Sequence, residues 1–137
     1  MIPQSDIGAS IDVQKDLGVL LVDDHPAVRQ GLRLLLQLEP AAAVIGEAGT
    51  FAEALALAKD LKPDVVFMDV EMPGMDGIEA TALLVAMLPQ VAVIILTMHS
   101  TSDTRTRAMA AGARAFVEKN RAEDVGVAFR RVSDFLR

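Results

Sequence analysis

Short apolar runs alternate along the chain with longer stretches whose apolar residues recur at helical spacing. Residues 18–23 read Gly-Val-Leu-Leu-Val-Asp, apolar on both faces, and predict a buried strand. Pro26 suits a first helical turn, and Val28, Leu32, Leu35 and Leu36 then fall on one face until Glu39-Pro40 ends the helix. Residues 43–46 predict a weak edge strand. Thr50-Phe51-Ala52-Glu53 has the form of a capping box and opens a helix with Phe51, Ala54, Leu55, Ala58 and Leu61 inward. Residues 64–68 form the predicted central strand, followed by a Pro/Gly turn and a helix over 77–88 that Pro89 closes. A buried strand over 91–96 ends in Thr97. A helix over 102–111 is stopped by Gly112, and a short strand over 113–117 ends just before Lys119. Asn120-Arg121-Ala122-Glu123 resembles a second capping box, with Asn120 as cap. The last helix carries a stripe of Val125, Ala128, Phe129, Val132, Phe135 and Leu136. Strand and helix alternate five times, which implies an α/β fold: a parallel sheet covered on both faces through right-handed crossovers.

Composition narrows the class. The chain has 137 residues, enough for one domain with a sizeable core, and 52% of them are hydrophobic. Trp and Tyr are absent, so the core is built from aliphatic residues, Met and a few Phe. A formal net charge of -6 argues against a general nucleic-acid surface, so no nucleic acid is expected to bind this chain by itself. The absence of Cys removes disulfides, thiolate catalysis and thiolate metal sites, and fits a reducing cytoplasm. Apolar runs are too short to span a bilayer, so no membrane is expected as a partner. Residues 1–17 read as a polar tail without a secretory pattern, and 18–137 as the domain.

Polar residues stand where four of the strands end: Asp23 and Asp24, Asp69, Thr97, and Lys119. In an open parallel sheet these positions share the carboxyl edge, where ligands bind. Each has a plainer reading taken singly, such as a helix cap, a turn or a solvated lysine. Three carboxylates on one rim repel each other unless a divalent cation or a transferred group belongs to the design.

The wording around these positions resembles the receiver domain of two-component response regulators. The resemblance covers residues 18–136. It rests on Val22-Asp23-Asp24-His25-Pro26, Met68-Asp69-Val70-Glu71-Met72-Pro73-Gly74-Met75-Asp76-Gly77, Leu96-Thr97-Met98-His99, and Gly112-Ala113-Arg114-Ala115-Phe116-Val117-Glu118-Lys119. The segments around His25 and Met98-His99 look most like receivers of the LuxR/NarL group. The resemblance implies a flavodoxin-like doubly wound (βα)5 fold with strand order 2-1-3-4-5. It implies Asp69 as phosphoacceptor from a sensor histidine kinase or a phosphotransfer protein. Mg²⁺ would be held by Asp24, Asp69 and the Glu71 main-chain carbonyl, with Asp23 acting through water. Lys119 would pair with a phosphoryl oxygen, and Thr97 would donate to another once phosphorylation has occurred. The change would pass through Thr97 and Phe116 to the face formed by the last helices and strand. Phe116 lacks the hydroxyl often found at its position, so it would switch by packing alone. Glu71 and His99 stand where side chains tune the phosphoryl lifetime. His25 is expected to pack near the first helix, and Asn120 replaces a proline common in the family. Such a domain is a switch with at most slow self-catalysed phosphotransfer and dephosphorylation, not an enzyme.

Other classes fit less well. A cobalamin-binding module needs Asp-x-His-x-x-Gly, and Val28 stands where the glycine belongs. A phosphohydrolase of the haloacid-dehalogenase type needs Asp-x-Asp after its first strand, which Asp23-Asp24-His25 lacks. A receiver that no longer accepts phosphate is opposed by the intact acidic trio, Thr97 and Lys119. LuxR-type regulators continue through a linker into a helix-turn-helix where this chain ends. A stand-alone receiver and a piece of a longer regulator both fit, and the LuxR-like wording favours the piece. The stripe on the last helix, ordinarily core, also offers a face for a homodimer.

Overall fold

Every second strand residue points to the same side, and this alternation divides the core in two. The computed structural model describes residues 16–136. The expected tail over 1–17 lies largely outside them. In chain order the elements are β1 (Leu17–Val22), α1 (Pro26–Leu36), β2 (Ala42–Ala48), α2 (Phe51–Leu61), β3 (Val65–Asp69), α3 (Gly77–Met87), β4 (Ala92–Thr97), α4 (Ser102–Ala110), β5 (Ala115–Glu118) and α5 (Glu123–Leu136). The strands form one sheet in the order β2-β1-β3-β4-β5, with all pairs parallel. Val19, Leu21, Val65, Phe67, Ala92 and Ile94 pack under α1 and α5. Leu20, Val22, Val66, Met68, Val93 and Ile95 pack under α2, α3 and α4. The fold expected from the alternation and the resemblance is the fold observed.

Local signals place the helix starts. Thr50 accepts from the Glu53 N–H at 3.1 Å, while the Glu53 carboxylate reaches back to the Gly49 N–H at 2.9 Å. That reciprocal pair satisfies two otherwise orphaned donors. Asp76 caps α3 through the Ile78 N–H at 2.8 Å, and its other oxygen meets Arg107 of α4 at 3.0 Å. Thr101 caps α4 through Thr104.

Five expectations need correction. Leu61, expected inward, is 39% exposed, because it closes α2 at the rim of the core over Gly46 of β2. The edge strand β2 runs over Ala42–Ala48, longer than 43–46, because parallel pairing with β1, resumed after a register shift that skips Ile45, extends it past its weak apolar pattern. The strand expected over 113–117 is Ala115–Glu118, since pairing to β4 starts only at Ala115. Asn120 does not cap the last helix, which begins three residues later at Glu123. Phe135 is 64% exposed instead of inward, with the Arg114 guanidinium 4.1 Å from its ring centre.

The turn after β3 closes tightly. A Cβ at Gly77 would lie 2.5 Å from the Val70 Cα, which is backbone and has little room to move. Gly77→Ala is therefore expected to destabilise the fold by about 2 kcal/mol, an overpacking cost. Urea melts of the two proteins would check this, and equal midpoints would show that the turn yields freely.

Candidate functional site

The ends of β1, β3 and β5 converge at the carboxyl edge of the sheet. Asp69 is the last residue of β3, in register with Leu96 of β4, and only 1% exposed. Asp23 follows β1 and is fully buried; its N–H donates to the Ala48 carbonyl at 3.0 Å. Its Oδ1 accepts from the His25 N–H at 2.9 Å, so the Asp23-Asp24-His25 turn is fixed from within. Arg29 of α1 also donates to the Asp23 carbonyl and pairs with Glu47 of β2, bracing this turn from behind. Lys119 follows β5, held by its N–H to the Thr97 carbonyl at 2.8 Å. Its Nζ lies 2.7 Å from Asp23 Oδ2 and 2.9 Å from Asp69 Oδ2, so one ammonium is shared by two buried carboxylates.

The charges do not balance locally. Burial pushes the Asp69 carboxyl up from its ordinary value, and the Asp23 charge adds to this. The Glu71 N–H and Lys119 oppose that rise without overcoming it. Burial alone would lower Lys119, but hydrogen bonds and charge from Asp23 and Asp69 outweigh it and hold the ammonium above its usual range. Both partners rise because one cation divided between two carboxylates saturates the lysine and leaves Asp69 underserved.

Asp23, Asp24, Asp69 and His25 each offer a ligand atom, all within 4.8 Å of one another. Asp23 Oδ2 and Asp24 Oδ1 are buried without a well-aimed hydrogen bond. Asp23 Oδ2 has the Lys119 ammonium beside it, and Asp24 Oδ1 has the His25 ring nitrogen at 3.1 Å. Hard carboxylate oxygens short of donors are the chemistry that suits Mg²⁺.

A second group of contacts lies alongside. The Glu71 N–H donates to Asp69 Oδ1 at 2.9 Å. The Glu71 side chain turns the other way, accepting from the Thr97 hydroxyl at 2.8 Å and the Met98 N–H at 2.9 Å. The His99 ring nitrogen stands 3.4 Å from the same carboxylate. Burial pushes the Glu71 carboxyl up, but these donors outweigh it and leave it below its ordinary value. Phe116 of β5 packs against the α2/α3/α4 side of the core, with the Arg105 guanidinium 4.7 Å from its ring centre.

Asp23, Asp24, Asp69 and Lys119, singled out in the sequence, thus share one pocket, while Thr97 borders it and is engaged by Glu71. Phe116 is separate from them, on the α4 side of β5. His25 differs from expectation: it stands exposed over the acidic pocket instead of packing on α1. Its place directly after Asp23-Asp24, in a turn fixed by the Asp23 side chain, was the available signal.

Comparison with known proteins names the class to which this doubly wound sheet and its acidic edge belong. The family model described as response regulator receiver domain matches residues 19–128, and the chain belongs to that family. The response regulator GacA of Pseudomonas aeruginosa is 41% identical over 115 residues, 83% of this chain and 54% of that protein. The transcriptional regulatory protein LiaR of Bacillus subtilis is 41% identical over 116 residues, 84% of this chain and 55% of that protein. The chain therefore spans about half the length of these relatives. The signal receiver domain of NarL from Mycobacterium tuberculosis superimposes with a TM-score of 0.80 at 32% identity, over 88% of this chain and 98% of that one. These relatives are of the LuxR/NarL type. Receiver domains of response regulators are switches of two-component systems, working with histidine kinases or phosphotransfer proteins and generally binding Mg²⁺ at an acidic pocket. Among the described residues no helix is long and apolar enough to cross a membrane.

Proposed function

We propose that Asp69 accepts a phosphoryl group from a phosphohistidine on a sensor kinase or phosphotransfer protein. A carboxylate oxygen of Asp69 attacks phosphorus, the new P–O bond forms as the P–N bond breaks, and the imidazole leaves. The observation that carries this reading is the shared ammonium. Lys119 bridges Asp23 and Asp69, yet buried oxygens of Asp23 and Asp24 still lack well-aimed donors. An anionic nucleophile approaching an anionic group needs that charge screened and its geometry held.

Asp24, Asp69 and the Glu71 main-chain carbonyl would hold Mg²⁺, with Asp23 acting through water. The ion when bound supplies charge neutralisation at the phosphoryl oxygens. Lys119 serves a second oxygen as a point charge. Thr97 donates its hydroxyl to the phosphoryl group afterwards, and the shift in its loop is relayed to Phe116 and the α4–β5–α5 face. Glu71 and His99 flank the group and set its lifetime, and the domain's own phosphotransfer and hydrolysis are slow.

Incubation with acetyl phosphate and Mg²⁺ tests the reading by intact mass. The expected result is a gain of one phosphoryl group, prevented by a chelator and mapped to the peptide containing Asp69. No gain at saturating donor would overturn it and leave a receiver working purely as an interaction module.

A further inference from the structure

The Thr97 hydroxyl has one proton to give, and here a carboxylate competes for it. Thr97 Oγ1 lies 2.8 Å from Glu71 Oε2 and 3.1 Å from the His99 carbonyl. The other Glu71 oxygen takes the Met98 N–H at 2.9 Å. One side chain from the loop after β3 therefore straps the first turn of the loop after β4. Thr97 is 1% exposed, so its hydroxyl has no free solvent to turn to, while the Glu71 side chain that holds it is 33% exposed. A hydroxyl donates a single hydrogen, so it cannot serve Glu71 and a phosphoryl oxygen on Asp69 together.

We infer that the Glu71 carboxylate is a latch holding Thr97 and Met98 in the unphosphorylated arrangement, which phosphorylation must release. This rests on the reading of Asp69 as phosphoacceptor and Thr97 as its sensor. Glu71 is thus a positioning residue acting through Thr97. Two charge-assisted hydrogen bonds are lost when the loop after β4 moves, and the loop stays put until a stronger anion claims the hydroxyl. The latch and the nucleophile are also linked, since the Glu71 N–H donates to Asp69 Oδ1.

The test uses the whole chain, with beryllofluoride and Mg²⁺ as a phosphoryl mimic and amide NMR of Met98 and His99 as a second readout. Glu71→Ala is expected to lower the beryllofluoride midpoint about tenfold, the size of one released charge-assisted bond. It should also move the Met98 and His99 amides of the mimic-free protein toward their mimic-bound positions. E71Q, with one acceptor oxygen in place of two, should fall between. Loss of negative charge alone would also favour an anion, so the same change is made in a Thr97→Val background. A latch predicts that the gain there shrinks to about twofold or less, because the Thr97 contact is already gone and only the Met98 N–H is still held. An undiminished tenfold gain would show a charge effect and overturn the latch. Unmoved amides in Glu71→Ala would overturn it too, independently of any mimic binding. Failure of the unaltered protein to bind the mimic at all would instead overturn the assignment of Asp69, and with it the competition described here.

Discussion

Asp69→Asn is expected to lose all phosphoryl uptake and yet to melt higher than the unaltered chain in the absence of Mg²⁺. The first half follows from chemistry, since an amide oxygen is too weak a nucleophile to form the acyl phosphate. The second follows from burial. A carboxylate whose pKa is raised on folding binds protons more tightly in the native state than in the unfolded one. Between its ordinary value of 3.8 and the raised value, stability therefore falls as pH rises. The full cost of burying that charge is present above the raised value, and below pH 3.8 it disappears. The amide removes the charge but keeps the shape, and Lys119 retains Asp23 at 2.7 Å. The expected gain is about 1 kcal/mol at neutral pH, shrinking toward zero in acid. Mg²⁺ should narrow the difference, because it stabilises the native state with the intact acidic set by mass action. Urea melts with and without Mg²⁺, at neutral and acid pH, would measure this. A variant less stable at neutral pH than the parent would show that Asp69 is already neutralised by Lys119.

That instability is the kind of cost a functional site carries, and the sequence betrayed it because strand ends are legible. Apolar runs broken at Asp23, Asp69, Thr97 and just before Lys119 place four candidate site positions on one edge once the sheet is known to be parallel. No distance is needed for that step. The reach of a side chain between loops is a different matter. Glu71 and Thr97 are 26 residues apart and belong to different strand-helix turns. The family resemblance placed Glu71 beside the phosphoryl site, while its contact with Thr97 depends on a rotamer. His25 followed the same logic, read as a packing residue although the turn of Asp23 swings it over the pocket. The misplaced cap at Asn120 has a simpler cause. A capping-box pattern is satisfied by many polar tetrapeptides, and here the chain makes one more turn, with the Arg121 N–H on the Glu118 carbonyl at 3.0 Å, before the helix starts. Phe135 fell on the inward stripe by periodicity, but it lies in the last turn of α5, where a guanidinium substitutes for core.

Lys119→Met should reverse the sign seen with Asp69→Asn: the metal-free protein becomes less stable while also losing phosphotransfer. Lys119 lies within ion-pair distance of both Asp23 and Asp69, and its side chain is itself only 10% exposed. Methionine fills the same volume without charge, so the change isolates electrostatics from packing. Removing one partner of a buried ionic set leaves the others uncompensated, which costs about 3 kcal/mol. The lysine's raised pKa gives the sign on the alkaline side. Its contribution is fully present below its ordinary value of 10.5 and is lost as pH rises through the raised value. The loss in Lys119→Met should be relieved in two ways that a packing defect would not share. Acid protonates the orphaned carboxylates, and Mg²⁺ brings a replacement cation to the same oxygens. Phosphorylation from acetyl phosphate should slow about a hundredfold, the usual consequence of deleting one stabilising group from a charge-developing site. Melts against pH and Mg²⁺, together with the phosphorylation rate, give three readings of one group. A destabilisation insensitive to both pH and Mg²⁺ would mean that Lys119 holds the fold through its methylene stem, and that the acidic edge is neutralised by something other than its ammonium.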